Sequence, residues 1–412
     1  MSRIGKLAVV SAFFLVGTTF GQTPTGEAGV WRPTAPVVAT TSDPEPGRFV
    51  APGDARGGEP CLLFGSADFL LGWVKGDQLP ALVSTSPPGT AQVAAGVLGT
   101  SGTLFGDRRV NTQVRSGVRA NFGAYLDPAG EFAVEAGFFG LEGASSGFQA
   151  ASNGTPILAR PFTNATTGAA ASALVAFPGL STGSIRATDS ANNLYGANLD
   201  IRERVYSSSP FRVDASLGYR YLRYDEHVRV NSTIMPSSGP FAAGTSLTTA
   251  DDFGARNIFH GVDLGVRGEV DYEALSLAAY GKVAVGVLER TAVIAGSQVT
   301  SVPGAAAVTS MGGMLALANN IGTTSKTAYS AVPEVGLTLG YQFNDNIRFT
   351  AGYSALWWTN VTRPGDEIDL RLNTGLFPGN TQAAGTPNNP VVTNKYSDLW
   401  VQTLAFCVEV RY

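Results

Sequence analysis

The chain is poor in the residue types that build catalytic and metal sites. Its 412 residues include two cysteines, Cys61 and Cys407, and two histidines, His227 and His260. Two cysteines make neither a disulfide framework nor a zinc cluster, and two histidines severely limit metal binding and general-base chemistry. The sequence therefore predicts a protein that is not an enzyme and that carries no cofactor or metal.

Charge and long apolar runs are also scarce. Charged residues make up 15% of the chain and the formal net charge is −4, so no basic excess indicates a nucleic-acid partner. Beyond the N-terminus, no stretch approaches the roughly 18 apolar residues of a transmembrane helix. If such a chain lies in a membrane, it has to cross it as a closed β-barrel.

The first 60 residues predict two segments outside the folded domain. Arg3 and Lys6 precede a short apolar run from Leu7 to Val16, so residues 1–21 are expected to be a cleaved secretory signal peptide. Residues 22–60 are about one-third Pro or Gly and show no periodicity, which predicts a periplasmic linker. The remaining domain is 61–412.

The domain is rich in residues that alternate between apolar and polar. In 397–412 one face carries Trp400, Leu404, Phe406, Val408, Val410 and Tyr412, while Glu409 and Arg411 lie on the other face. Period-2 alternation predicts a strand. Ten segments show it: 62–74, 113–126, 131–141, 193–205, 210–226, 257–272, 274–290, 329–343, 346–360 and 397–412.

The connections between these segments alternate in length. Short joins at 127–130, 206–210, 272–274 and 343–346 alternate with long ones at 75–112, 142–191, 227–256, 291–328 and 361–396. Short periplasmic turns and long external loops are typical of outer-membrane barrels. The sequence therefore predicts an all-β fold: a ten-stranded antiparallel transmembrane β-barrel of the bacterial outer membrane with five long extracellular loops.

Aromatic residues are expected to form two girdles against the outer-membrane lipid, because amphipathic rings concentrate at membrane–water interfaces. The outer girdle comprises Trp73, Trp357, Trp358 and Trp400, and the inner girdle Phe211, Tyr272, Phe343 and Tyr412.

The face opposite the lipid carries charges of both signs. It holds Asp68, Arg115, Arg119, Glu131, Glu135, Asp200, Arg202, Arg212, Asp214, Arg220, Asp263, Arg267, Glu269, Lys282, Glu334, Arg348, Glu409 and Arg411. Two functions fit this lumen: a narrow, charge-lined, porin-like channel for small solutes, or a closed polar core whose outer loops are the working surface. General diffusion pores usually need 16 or more strands.

Several stretches resemble the beta-barrel porin-7 family of bacterial outer-membrane proteins. They include GWVKGDQLPALVSTSPPGT at 72–90, GVLGTSGTLFGDRRVN at 96–111, LGYRYLRYDE at 217–226 and WWTNVTRPGDEID at 357–369. The resemblance implies an outer-membrane barrel over 61–412 and supplies no substrate or site residues. The last strand also resembles the closing strand of such barrels, whose terminal aromatic, here Tyr412, is part of the signal to the barrel-assembly machinery.

Four features stay open at the level of sequence. Asp225 and His227 make an Asp-x-His pair, as in the omptin proteases, without the second Asp pair that omptins use. The carboxylates between Arg363 and Asp369 suit calcium, but a solvated turn or a salt bridge with Arg363 is the favoured interpretation. A closed barrel makes the first and last strands neighbours, so a disulfide between Cys61 and Cys407 is geometrically possible, but it is not expected because Cys61 precedes the first strand proper. The apolar segment 302–322 is expected to pack over or into the barrel mouth.

Overall fold

A computed structural model describes residues 63–100, 102–344, 346–378, 380 and 387–410. The predicted signal peptide and linker, Cys61, Arg411 and Tyr412 lie outside these residues. The all-β prediction is confirmed, since the described chain contains one four-residue α-helix and is dominated by antiparallel strands. No described helix has the length and apolar character needed to span a membrane.

Ten strands carry the fold, and each overlaps one of the ten alternating segments. They are β1 (Leu63–Val74), β2 (Arg115–Tyr125), β3 (Phe132–Leu141), β4 (Leu194–Ser208), β5 (Phe211–Pro236), β6 (Ser246–Tyr272), β7 (Leu275–Ser301), β8 (Gly322–Gln342), β9 (Ile347–Val361) and β10 (Ser397–Val410).

Every strand pairs antiparallel with the strand before and after it in this series. The last strand also pairs with the first, with Phe69 opposite Phe406 and Val74 opposite Val401. The hydrogen-bonded ladder of the ten strands therefore returns to its starting point and leaves none of them as an edge.

Local chemistry at one end of the ring turns the chain tightly. In the β2–β3 turn, the Asp127 carboxylate accepts hydrogen bonds from the amides of Glu131 and Phe132 at 3.0 and 2.6 Å. In the β8–β9 turn, the Asn344 side chain accepts from the Ile347 amide at 2.8 Å. Such side-chain-to-backbone bonds are why Asp and Asn favour turns.

The two faces of the ring have opposite composition. Large apolar side chains are exposed on the outward face, for example Leu217 at 55% and Val262 at 53%. Charged side chains are buried on the inward face, including Asp263 and Glu334. A water-soluble protein distributes these residue types the other way round.

Strands β5, β6 and β7 are longer than the sequence predicts. Alternation predicts 210–226, 257–272 and 274–290, whereas β5 continues to Pro236, β6 begins at Ser246 and β7 continues to Ser301. In the extensions most outward residues are polar or small, with exceptions such as Met235 and Val293, which hides the strand pattern, while inward residues such as Val228 and Phe253 are fully buried.

The long connections form a folded unit, here called the cap: the described residues of 75–112, 142–191, 302–321 and 362–396. Its elements are the strands Asp77–Leu79, Val83–Thr85, Gly102–Phe105, Arg108–Val110, Ala144–Ser152, Leu158–Asn164, Ala170–Ala176, Ser181–Ala191, Val308–Met311 and Arg371–Leu372, the helix Pro364–Glu367, and two 3-10 turns, Gln92–Ala94 and Thr374–Leu376.

The cap has a hydrophobic core of its own. Phe105, Leu158, Val175 and Leu372 pack there against Val228 and Phe253 from the extended strands. Met314, Leu315 and Ala316 of the segment 302–322 belong to the same core, whereas Val308 and Met311 are exposed. Thus only the second half of that segment is packed into the protein.

Candidate functional site: the interior of the strand ring

The ring of strands encloses a cavity of about 260 Å³ that is lined by charged residues. Twelve predicted interior residues line it: Asp68, Arg119, Glu135, Asp200, Arg202, Asp214, Arg220, Asp263, Arg267, Lys282, Glu334 and Arg348. Six of these are acidic and six are basic, so their formal charges cancel. Each reaches the cavity because inward positions recur at every second residue of a strand.

Ion pairs and hydrogen bonds connect the walls of this cavity. Arg220 on β5 donates to Glu334 on β8, and the Tyr280 hydroxyl donates to the same carboxylate at 2.7 Å. Lys282 Nζ lies 2.8 Å from Asp200 and 3.8 Å from Asp263. Buried charges need such partners, because an unpaired one costs several kcal/mol. These contacts thus join charges on five strands of the ring across the cavity.

Three further predicted interior residues, Arg115, Arg212 and Glu269, lie outside the cavity lining. Arg212 pairs with Glu269 and Asp271 at 3.5 and 3.1 Å, and Glu269 also lies 3.7 Å from Arg348. Arg115 is buried beyond the cavity, where it donates to the Tyr224 hydroxyl at 3.3 Å.

Glu131 precedes β3, in the turn that Asp127 holds, and it is exposed and does not line the charged cavity. The Glu409 backbone pairs with Arg348 in the β9–β10 ladder, but its side chain, like Arg411, lies outside the described residues.

Beyond the charged cavity, the interior is filled by an apolar layer that was not predicted from the sequence. Nine of the ten strands contribute to it: Leu70, Val74, Leu141, Leu194, Leu222, Phe259, Leu288, Val332, Leu356, Trp358, Leu399 and Val401. All are buried, and Trp358, fully buried, packs edge-on against Phe259 with ring centroids 6.4 Å apart.

Packing within the apolar layer is dense. A Cβ atom added at Gly72 would lie 2.7 Å from both methyl carbons of Leu141, and one added at Gly196 would lie 2.5 Å from Leu222. Gly196 thus makes room for Leu222 on the adjacent strand, and Gly72 makes room for Leu141 two strands away. The sequence contains one signal for this layer: the inward positions Leu70, Leu222 and Phe259 are apolar rather than charged.

The predicted outer girdle is wrong at Trp358. Consecutive strand residues point to opposite faces, so Trp357 and Trp358 cannot both face outward; Trp357 is 43% exposed and Trp358 is buried. Trp357 and Trp400 are directly opposite each other in the β9–β10 ladder, and Trp73 is half-buried. Phe211, Tyr272 and Phe343 are exposed, and Tyr412 lies outside the described residues.

Arg363 anchors the cap to the inward face. Its guanidinium donates to both carboxylate oxygens of Glu226 on β5, at 2.8 and 2.5 Å, and to the carbonyls of Lys75 and Gly76 at 2.9 and 3.0 Å. A bidentate arginine–carboxylate pair fixes geometry as well as charge. The anchor joins the last long connection to β5 and to the end of β1.

Asp77 completes the anchor. Its Oδ2 accepts from the Gly365 amide at 2.8 Å, and its Oδ1 lies 3.7 Å from Arg363. Burial raises the pKa of Asp77 to about 7, although the Arg363 charge opposes this shift. Burial likewise raises the pKa of Asp189, on the cap strand Ser181–Ala191, to about 8.

Two polar side chains on β6 hold further parts of the cap. The Asn257 amide bonds to both the N–H and the C=O of Thr362, each at 2.8 Å. Asp251 Oδ1 accepts from the amides of Met314, Leu315 and Ala316 at 2.9, 2.9 and 2.8 Å, and its Oδ2 lies 2.6 Å from Arg160.

The carboxylates after Arg363 do not converge. Glu367 accepts from Thr362 at 3.2 Å, whereas Asp369 accepts from the Asn389 side chain and the Val391 amide at 2.9 and 3.1 Å. Their hydrogen bonds hold parts of the cap together, whereas Arg363 forms its ion pairs with Glu226 and Asp77 outside this turn.

The Asp225–His227 pair lies on the outward side of the wall. The Asp225 carboxylate accepts from Arg223 at 2.8 and 3.1 Å and from Arg256 at 3.2 Å. His227 is exposed, with its Nδ1 3.9 Å from Asp252. The position of Asp225 is thus determined by two arginines.

The chain belongs to the family described as "Putative beta barrel porin-7 (BBP7)", which matches residues 64–412. This confirms the resemblance and places the whole described region in a family of porin-like barrels. No curated protein matches the chain.

The solved structures to which the chain shows some similarity include outer-membrane proteins. The outer membrane protease OmpT from Escherichia coli is 12% identical, with 86% of this chain and 97% of that one covered and a TM-score of 0.41. An anion-selective porin from Comamonas acidovorans is 8% identical, with 85% and 98% covered and a TM-score of 0.19. With such low identities and TM-scores, these similarities do not extend to function.

Proposed function

We propose that this protein is a ten-stranded, porin-like β-barrel of the bacterial outer membrane whose narrow, charge-lined lumen is closed in the resting conformation. The apolar layer carries the closure, because it fills the interior between the charged cavity and the cap. Hydrophobic constrictions of this kind gate membrane pores by excluding water. The family of the chain supports the porin-like barrel.

The two faces of the ring support its placement in a membrane. Exposed apolar side chains surround it, and charges on the lipid side would cost about 2–4 kcal/mol per Arg or Lys at the bilayer midplane. The short turns are proposed to face the periplasm and the cap to face outward. Outer-membrane lipid and, through the last strand, the barrel-assembly machinery are the proposed partners.

The order of layers along one strand supports closure at more than one level. Inward residues of β5 pass from Arg220 in the charged cavity to Leu222 in the apolar layer, then to Glu226 at the Arg363 anchor and Val228 in the cap core. A solute crossing the lumen would have to displace both the apolar layer and the anchored cap. Transport therefore requires a conformational change.

Planar-bilayer recording of the purified full-length protein tests this proposal. The wild type is expected to stay silent, and Trp358→Ala combined with Leu222→Ala is expected to give discrete openings because it opens the apolar layer. Trp357→Ala is the matched control, since the Trp357 side chain faces outward and its removal leaves the apolar layer intact. Steady, discrete conductance by the wild type would overturn the closed lumen.

A second candidate function is surface interaction through the cap. The cap has its own hydrophobic core and is anchored to β5 and β6, so it presents a fixed surface. This candidate would be favoured over transport if protein that shows no conductance still bound an external partner. Substitution of exposed cap residues should then abolish that binding.

We also propose that the protein is not a hydrolase. Two arginines engage Asp225 on the outward wall, and a general base needs an oriented partner next to its substrate. Hydrolysis of peptide substrates by the wild type that disappears in His227→Ala would refute this proposal.

A further inference from the structure

Two arginines lie where the apolar outward face of the wall ends. On β5 the outward residues are apolar or aromatic from Phe211 to Tyr221, and the next outward residue is Arg223. On β6, His260 and Ile258 close the same band, and the next outward residue is Arg256. Ten residues of a strand tilted by about 40° rise roughly 25 Å, the height of the lipid-facing band of a barrel.

Aromatic side chains mark this level as a membrane–water interface. Tyr219 is hydrogen-bonded to His260 across the β5–β6 ladder, and the rings of Tyr195 and Tyr221 are 6.1 Å apart. Amphipathic rings favour the headgroup level. Arg223 and Arg256 come immediately beyond these rings, at the end of the ring of strands from which the cap extends.

Asp225 holds the two guanidinium groups side by side. It is itself buried, and it accepts two hydrogen bonds from Arg223 and one from Arg256. An arginine has five N–H donors, so these contacts use a minority of the ten. The Arg256 side chain is 54% exposed and that of Arg223 30%, so both are accessible from the lipid side.

We infer that Arg223 and Arg256 form a binding site for the phosphate headgroup of a lipid in the leaflet that surrounds the outer end of the barrel. Arginine forks match phosphate oxygens in geometry and charge. Glu289 on β7 and Asp225 reduce the local charge, so the site depends on two positioned arginines rather than on a large basic patch. The inference rests on the proposed orientation of the barrel.

Retention of lipid by the full-length protein, measured by native mass spectrometry in detergent, tests the inference. The probes are a bisphosphorylated, acylated disaccharide glycolipid and its dephosphorylated form. The wild type is expected to bind the phosphorylated form at least about tenfold more tightly, a difference of about 1.4 kcal/mol. Equal retention of the two forms would overturn the inference without any variant.

Variants locate the site. Arg223→Gln with Arg256→Gln is expected to abolish the preference for the phosphorylated form. Arg229→Gln is the matched control, because Arg229 pairs with Asp252 on the same wall but lies six residues, roughly 20 Å, further along β5. Equal loss in the control would refute the assignment, and Arg256→Lys, which keeps the charge, should retain part of the preference.

Two further outcomes separate this inference from its alternatives. Displacement of the glycolipid by inorganic phosphate alone would reassign the arginines to a soluble anion and overturn the lipid site. Conductance by the wild type would refute the closed lumen but leave the lipid preference unchanged, so failure of one proposal is distinguishable from failure of the other.

Discussion

At the scale of single residues, the Arg363–Glu226 pair shows why a buried ion pair fixes a structure rather than simply stabilising it. Removing one partner leaves an uncompensated buried charge, which costs roughly 3–5 kcal/mol. An exposed pair such as Arg229–Asp252 contributes at most about 1 kcal/mol. The position of the cap should therefore depend on Arg363 far more than on surface arginines.

We expect Arg363→Gln to detach the helix Pro364–Glu367 from the interior and to destabilise the cap by roughly 3–5 kcal/mol. Hydrogen exchange of the amides in 362–378 measures this directly, because the strand ring stays folded. Arg229→Gln is the control and should leave these rates unchanged. Protection of 362–378 that survives Arg363→Gln would show that the anchor is dispensable.

The buried carboxyls of the cap predict a pH dependence. The pKa of Asp77 is about 7 in the folded protein and that of Asp189 about 8, both above the unfolded value near 3.9. Between pH 4 and these values the folded state binds more protons, so the stability of the cap falls as the pH rises.

Hydrogen exchange in 75–112 and 142–191, corrected for intrinsic rates, should therefore show a more stable cap at pH 5 than at pH 8. Asp77→Asn should weaken the dependence of cap stability on pH below about pH 7, since an amide does not titrate. A cap whose stability rises with pH over this interval would contradict the sign of the shift.

At the scale of elements, each of the ten alternating segments overlaps one strand of the ring, because apolar residues outside and charged residues inside give a strong period of two. It missed the extensions of β5 to β7, where most outward residues are polar or small and the apolar signal comes mainly from buried inward residues. It also missed the cap contacts, since Glu226 and Arg363 are 137 residues apart and pair only in three dimensions.

The apolar layer was missed for a different reason. Leu222 and Phe259 are as apolar as residues that face lipid, so a sequence does not distinguish a blocked interior from a lipid-facing strand unless the register of each strand is known. Trp358 is an example. Once Trp357 is known to face outward, the alternation of strand side chains requires Trp358 to face inward.

Asp251 gives a test of how β6 holds the segment 302–322. Because its carboxylate accepts three consecutive amides, Asp251→Ala should release Met314 to Ala316 and allow an added protease to cleave within 302–322. Asp252→Ala, one residue along and facing outward, is the control. Resistance of the segment in Asp251→Ala would show that its burial in the cap core is sufficient.

At the scale of the whole molecule, the proposed orientation has consequences that do not depend on the state of the lumen. Val308 and Met311 are exposed on the cap, and Glu273 is exposed in the turn between β6 and β7 at the opposite end of the strands. In the proposed barrel, the first two face the outside of the cell and Glu273 faces the periplasm.

We therefore expect Val308→Cys and Met311→Cys, made with Cys61→Ser and Cys407→Ser, to react in intact cells with a thiol reagent that does not cross membranes. Glu273→Cys should react only after the outer membrane is permeabilised. If only Glu273→Cys were labelled in intact cells, the barrel would have the opposite orientation, with the cap in the periplasm. Since the cap would then have no access to external partners, that result would also remove surface interaction as a candidate function.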